Sequence, residues 1–197
     1  MTRKFCALAL TFSLLFTGCG NTASSTPTRG IWNGNVYVND YIGATITLPE
    51  TWIAATDAEI AMILRVSPDI LANYGTDIAS EAWDGVHFYD MVAQCNYTGS
   101  SIIVMYERLL DEAAGTTERE YLALMRDMTE MEMPWDSGFI IADGVTRIGS
   151  TDWHLLTSQM LGTQQHFFVS KQKSYIRSLL ITIADDDTLE NILTMFS

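Results

Sequence analysis

Two adjacent segments near the middle of the chain are apolar on both faces. They run roughly over Val86–Cys95 and Ser101–Arg108, and a turn near 96–99 joins them. In the second segment every residue of Ile102–Met105 is apolar, so neither face of the predicted strand is polar. Strands with two apolar faces lie in sheets that are covered on both sides. The hairpin is therefore expected at the centre of a layered fold.

An earlier stretch predicts a second strand pair that opens the domain. Val36–Val38 and Ala44–Leu48 have strand character, and Asn39–Gly43 between them has turn composition. Pro49 ends the second strand because it cannot donate to a ladder, and Trp52 is expected to re-enter the core.

Helix signals separate the strands, and further strands complete an α+β pattern. Capping boxes at Thr56–Glu59 and Thr117–Glu120 each predict a helix start. Ser67-Pro68 predicts a shorter helix ending at Gly75, and Asp187–Glu190 predicts a terminal one. The longest predicted helix has an apolar stripe that is expected to lie in the core, and a Met-lined binding groove is the alternative. The stripe consists of Tyr121, Leu124, Met125, Met128 and Met131. The later predicted strands are Phe139–Asp143, Val145–Gly149, Trp153–Leu161, Thr163–Lys171 and Tyr175–Ala184.

The N-terminus has the organisation of an export signal. Arg3 and Lys4 precede an apolar run, Phe5–Phe16, of 12 residues, which is too short to span a bilayer as a helix. Phe16-Thr17-Gly18-Cys19 resembles the processing site of bacterial lipoproteins, although that family usually has Leu where Phe16 stands. The resemblance implies cleavage before Cys19 and a diacylglycerol on its thiol. The alternative is an ordinary signal peptide in which Cys19 is incidental.

Composition divides the chain into three parts and limits its cysteine chemistry. We expect a signal peptide at 1–18, a lipidated Cys and flexible tether at 19–30, and a single domain at 31–197. Of the three cysteines, Cys6 leaves with the leader and Cys19 carries lipid, so Cys95 has no partner for an intramolecular disulfide. Cys95 is expected to be a small buried apolar residue.

The chain is strongly acidic, which excludes some partners. It has 11 Lys and Arg against 24 Asp and Glu, for a net charge of −13. Loss of Arg3 and Lys4 with the leader takes this to −15. No basic patch exists to neutralise phosphates, so nucleic acid is not an expected partner. Contact with a membrane must therefore rest on covalent lipid or apolar groups.

The opening of the domain carries a family resemblance. Tyr37-x-Asn39-x-Tyr41-x-Gly43 and Leu48-Pro-x-x-Trp52 resemble the opening of small lipoproteins of Gram-positive, Clostridia-type bacteria with a PsbP-like domain. The resemblance covers about residues 36–197. It implies a mainly antiparallel sheet flanked by helices on both faces, an α/β/α sandwich. It also implies no known catalytic set and members that bind other proteins.

No strong chemical motif is present. His87, His154 and His166 have no His or Cys at ligand spacing, so neither a metal nor a cofactor is expected. A turn at 161–162 would place His166 opposite Thr157. Asp185–Asp187 lacks the spacing of a calcium loop and is better explained as a helix start.

Three functions remain open. Asp90 and Glu107 interrupt the central hairpin and would form a carboxylate pair in an envelope hydrolase, although exposed or salt-bridged positions are the simpler interpretation. A small-molecule carrier would need an apolar pocket of about 300 Å³ or more. We favour a non-catalytic binding or accessory module, anchored through Cys19 on the extracytoplasmic face of the cell membrane, with an envelope protein as a possible partner.

Overall fold

The computed structural model describes residues 26–64, 87–110, 113–132, 138–160, 163–185 and 187–197. The predicted signal peptide, Cys19 and the helix proposed for 67–75 lie outside these residues. Ten strands and three helices occur in the described part of the chain: β1 (Ile31–Asn33), β2 (Val36–Asn39), β3 (Ala44–Thr47), β4 (Trp52–Ala54), α1 (Asp57–Leu64), β5 (His87–Cys95), β6 (Ser101–Arg108), α2 (Glu118–Glu132), β7 (Ile140–Ile148), β8 (Thr151–Met160), β9 (Thr163–Gln172), β10 (Tyr175–Ile183) and α3 (Leu189–Leu193).

The strands form two sheets, both antiparallel. The larger has seven strands in the order β4-β5-β6-β10-β9-β8-β7, and the smaller has the order β1-β2-β3. The predicted central hairpin is confirmed, since β5 and β6 each have a neighbour on both sides. The prediction of a mainly antiparallel sheet therefore holds.

One face of the large sheet is covered mostly by the small sheet. Tyr37 of β2 and Ile46 of β3 are almost fully buried in the main core cluster, together with Ile60 of α1 and Ile192 of α3. The prediction of one sheet flanked by helices did not include this second sheet. Its inner residues are apolar and therefore bury surface by packing face to face on the large sheet.

Helix α2 covers the opposite face, but with a different stripe from the predicted one. Tyr121 and Leu122 are buried in a second apolar cluster, and Met125 packs against it. Leu124 and Met128, expected in the core, are 55% and 52% exposed, and Met131 is 83% exposed. The prediction was wrong for these three residues because the helix turns its Leu122 side to the sheet. The groove lined by the whole Met stripe is therefore not formed.

The helix starts agree with the capping signals. Thr56 N donates to Glu59 Oε2 at 2.7 Å, and Glu59 N donates back to Thr56 Oγ1 at 3.3 Å. Thr117 and Glu120 repeat this exchange at the start of α2. The N-cap of α3 is Thr188. None of the described helices is long and apolar enough to cross a bilayer.

The later strands confirm one detail and correct another. The β8–β9 hairpin sets Thr157 opposite His166, as predicted. The two strands predicted for 139–149 form one strand, β7, with an irregular register between Ile141 and Val145. The irregularity accommodates the residues around 143–144, where the two predicted strands were separated.

Candidate functional site

The most unusual polar group in the described structure is the buried carboxylate of Asp90. It is 2% exposed and lies at an irregularity of β5, where the pairing with β6 shifts between Tyr89 and Met91. Such a bulge inserts one extra residue into a strand and changes the direction of its side chain. Asp90 and Met91 consequently both face the small sheet, which strict alternation would not allow.

Donors from two strands, β2 and β6, and from the residue before β1 converge on this carboxylate. Asn39 Nδ2 lies 2.6 Å and Tyr106 OH lies 2.8 Å from Asp90 Oδ2, and Tyr37 OH donates to the same oxygen. Gly30 N donates to it at 3.1 Å. We call Asp90 and these four donors the Asp90 cluster. The cluster joins the small sheet to the large one through a single buried charge.

The structure explains the Tyr37-x-Asn39-x-Tyr41 motif. Alternation along β2 puts Tyr37 and Asn39 on the inner face, toward Asp90. The side-chain amide oxygen of Asn39 accepts from the backbone N–H groups of Tyr41 and Ile42 at 2.8 and 3.1 Å. This shapes the turn that follows the strand.

Tyr41, the second tyrosine of this motif, packs on a half-buried cation. Arg177 of β10 lies 5.8 Å from the ring centres of both Tyr41 and Trp153. Its guanidinium donates to the Tyr41 carbonyl oxygen at 2.9 Å and to Ser170 Oγ at 2.7 Å. Burial lowers the pKa of Arg177 below its ordinary value.

Residues assigned to the tether belong to the packed structure. Besides the Gly30 bond, Arg29 Nε lies 3.5 Å from Asp90 Oδ1, and its Nη2 lies 2.7 Å from Asp57 Oδ1. A Cβ added at Gly30 would overlap the ring of Tyr37, so only glycine fits at this contact. Arg29 and Gly30, just before the predicted start of the domain at Ile31, therefore have contacts with the packed residues.

Protonation of the cluster is set mainly by burial. Burial raises the pKa of Asp90 above 3.8, while hydrogen bonds from Tyr37 and Tyr106 partly offset this rise. Burial, together with the charge of Asp90, raises the pKa of both tyrosines well above 10. The tyrosines therefore stay neutral and act as donors. Asp90 is surrounded by protein donors, an arrangement that suits a structural carboxylate better than a general base.

An open cavity of about 550 Å³ lies beside the cluster. It is bounded by the small sheet, the edge strand β4 and the start of α1. Trp32, Trp52 and Ile60 supply its apolar wall, and Arg29 and Asp57 supply its charged wall. The volume falls within the range of small-molecule sites, roughly 300–1,000 Å³. The Arg29 contact with Asp57 lowers the pKa of that carboxyl.

The two predicted carboxylates are not brought together. Glu107 accepts a hydrogen bond from the Tyr121 hydroxyl of α2, on the opposite face of the large sheet from Asp90. The neighbouring Tyr106 points to Asp90, and alternation turns Glu107 the other way. Asp90 is buried and not exposed, but its ionic contact with Arg29 agrees with the salt-bridged alternative of the simpler interpretation.

The remaining candidates form no centre in the described residues. His166 Nδ1 lies 3.2 Å from Thr157 Oγ1, and His154 lies opposite Val169, so these histidines are not cross-strand partners. No group of three His, Cys, Asp or Glu could hold a metal ion in the described part. Cys95 is buried and free, as expected.

Comparison with known proteins finds similarity among solved structures alone. No family model matches the chain, and no curated protein matches it. Among solved structures it is similar to a cyanobacterial PsbP (CyanoP) from Synechocystis sp. PCC 6803, determined in solution. That similarity has a TM-score of 0.46 and 11% sequence identity, over 92% of this chain and 98% of the other. It transfers no residue role.

Sequence reasoning missed the Asp90 cluster. The available signals were an acidic residue in an otherwise apolar strand and two polar inner positions, Tyr37 and Asn39, on β2. Neither signal indicates by itself which distant residue it contacts.

Proposed function

We propose that the protein is a non-catalytic binding module of the bacterial cell envelope, held on the extracytoplasmic face of the membrane by a diacylglycerol on Cys19. It would belong among small lipoproteins with a PsbP-like α/β/α domain, of the Gram-positive, Clostridia type. The cavity beside the Asp90 cluster would be its binding site. That cavity is the observation that carries the proposal.

The shape and lining of the cavity favour binding. Two tryptophans, Trp32 and Trp52, offer broad apolar surface, and the Arg29–Asp57 pair offers a polar edge that can orient a ligand. The Asp90 cluster fixes this wall, because it holds Arg29 and Gly30 in place. A binding site supported by a rigid polar network loses little entropy when a ligand binds.

A small-molecule carrier remains the second candidate. The reason is the volume: about 550 Å³ exceeds the roughly 300 Å³ that a carrier requires. An envelope hydrolase based on Asp90 and Glu107 has no comparable support, since the two carboxylates lie on opposite faces of the large sheet.

The test is native mass spectrometry of the protein extracted in detergent from its own cells. We expect a mature mass that begins at Cys19 with a diacylglycerol, and an additional bound mass that identifies the ligand. Ala54→Leu, which adds bulk to the cavity lining, should remove the bound mass. The control Ala123→Leu places the same change on α2, at an equally half-buried position.

Each part of the proposal can fail separately. A mature chain without lipid would refute the anchor. A bound mass that persists in Ala54→Leu would show that the ligand lies elsewhere. A small organic mass would favour the carrier, and a second polypeptide would favour the accessory module.

A further inference from the structure

The outer face of the small sheet carries no charge. Its register aligns one row of residues across the three strands, Ile31, Val38 and Thr45, and beside it a second row, Asn33, Val36 and Thr47. These side chains point away from the buried inner face. Ile31 is 74% exposed and Val38 is 41% exposed. Exposed apolar residues on an uncharged face are unexpected in a chain with a net charge of −13.

The acidic residues of the chain are distributed unevenly, and none lies in the N-terminal part that leads into the small sheet. All 24 acidic residues lie at or after Asp40, and Arg29 is the one charged residue between Cys19 and Asp40. The segment that leads from the predicted anchor into the small sheet is therefore free of acidic groups. An anionic lipid surface would repel the rest of the chain but not this segment.

The length of the tether restricts what can reach the membrane. Six residues separate Cys19 from Thr26, where the described structure begins, and the seven steps from Cα to Cα span at most about 25 Å when fully extended. A domain of this size is about 40 Å across. Surfaces near the N-terminal segment can therefore touch the bilayer more readily than surfaces on the far side.

We propose that the uncharged outer face of the small sheet rests on the bilayer that holds Cys19. The inference depends on the anchor in the proposed function. Because the anchor already holds this face close to the lipid, a weak apolar contact through Ile31 and Val38 is sufficient to orient the domain. Trp32, between Ile31 and Asn33 on the same strand, faces the inner side of the small sheet and lines the cavity there.

The test uses the full lipoprotein, purified with its anchor and reconstituted into phosphatidylcholine–phosphatidylglycerol vesicles that contain brominated lipid. Thr47→Trp places a fluorescent probe on the uncharged face. Met128→Trp is the matched control, since it lies in an exposed apolar patch on α2, across the large sheet. The chain has five native tryptophans, so the quenching of each probe is measured as the change from wild type. We expect the quenching added by the probe at Thr47 to be about twofold that added by the probe at Met128. Adding Ile31→Asp should reduce the quenching at Thr47.

Other outcomes overturn the inference. Equal or greater quenching at Met128, or no quenching at either probe, would show that the uncharged face does not rest on lipid. A dimer in native mass spectra that is lost in Ile31→Asp would show that the face joins two copies of the chain. An intact mass without diacylglycerol would instead refute the anchor, so the two failures can be told apart. Ile140→Asp, at an equally exposed isoleucine of β7, controls for a general effect of the added charge.

Discussion

Replacing Tyr106 with phenylalanine removes one hydrogen-bond donor from Asp90 while keeping the shape of the ring. The lost bond spans 2.8 Å and is buried at both ends. The ring contacts survive, because Phe can still meet Tyr41 edge-on and stack on Phe88. The variant therefore removes the bond to the buried charge together with the bond that Tyr106 OH accepts from Asn39 Nδ2 at 2.7 Å. Asn39 Nδ2 keeps Asp90 Oδ2 and Tyr37 OH as acceptors, so the main loss falls on Asp90.

The magnitude follows from the burial of the acceptor. A hydrogen bond to a charged group contributes about 1.5–3 kcal/mol, and a buried acceptor left short of a donor carries its desolvation cost. We expect the free energy of unfolding to fall by about 1.5–3 kcal/mol at pH 7. That is a large part of the 5–15 kcal/mol typical of a domain.

The loss of unfolding free energy in Tyr106→Phe should depend on pH, and the direction of this dependence follows from the pKa of Asp90. The folded pKa of Asp90 is raised above its unfolded value, so the stability it contributes is complete below the unfolded pKa and is lost as the pH rises through the folded pKa. Tyr106 lowers that pKa, and removing its hydroxyl raises the pKa further. The destabilisation should therefore be largest where Asp90 is ionised and should shrink in acid, where it is protonated.

Urea denaturation of wild type and Tyr106→Phe, followed by near-UV circular dichroism at pH 7 and pH 3.5, measures both effects. Tyr97→Phe is the control, because Tyr97 is 81% exposed and its change should stay within about 0.5 kcal/mol. A loss below about 0.5 kcal/mol at pH 7, or a loss that does not shrink in acid, would refute the account of Asp90 as a buried, ionised acceptor.

Two further predictions use matched pairs of variants. Gly149→Ala should destabilise by about 2–5 kcal/mol, since the φ of 56° disfavours a side chain and the new Cβ would overlap the Gly43 carbonyl oxygen. Gly34→Ala, with a φ of 63° and no atom within 4 Å of the added Cβ, should lose only about 1–2 kcal/mol, and equal losses in urea titrations would contradict the packing argument. Leu122→Ala should cost about 2–5 kcal/mol and Leu124→Ala less than about 1, because the first is fully buried and the second 55% exposed. If Leu124→Ala lowered the unfolding temperature more than Leu122→Ala, the result would support the buried stripe predicted from the sequence instead.

Features set by neighbouring residues could be predicted well. The capping exchanges at Thr56 and Thr117 involve a partner three residues away, so their sequence pattern is sufficient to specify them. The pairing of Thr157 with His166 follows from the position of one turn. The buried central hairpin follows from its two apolar faces.

The sequence by itself thus determined the local elements: where described helices begin, which strands pair through short turns, and that the core strands are covered on both sides. Only the tertiary structure decided which face of α2 is buried, that the opening strands form a second sheet, and that Asp90 meets Tyr37, Asn39 and Tyr106. Asp90 is 51 residues from Asn39 and 16 from Tyr106, so no local pattern encodes their contact. A bulge in one strand and the packing of two sheets place these groups together, because a buried charge must be satisfied wherever the fold puts it.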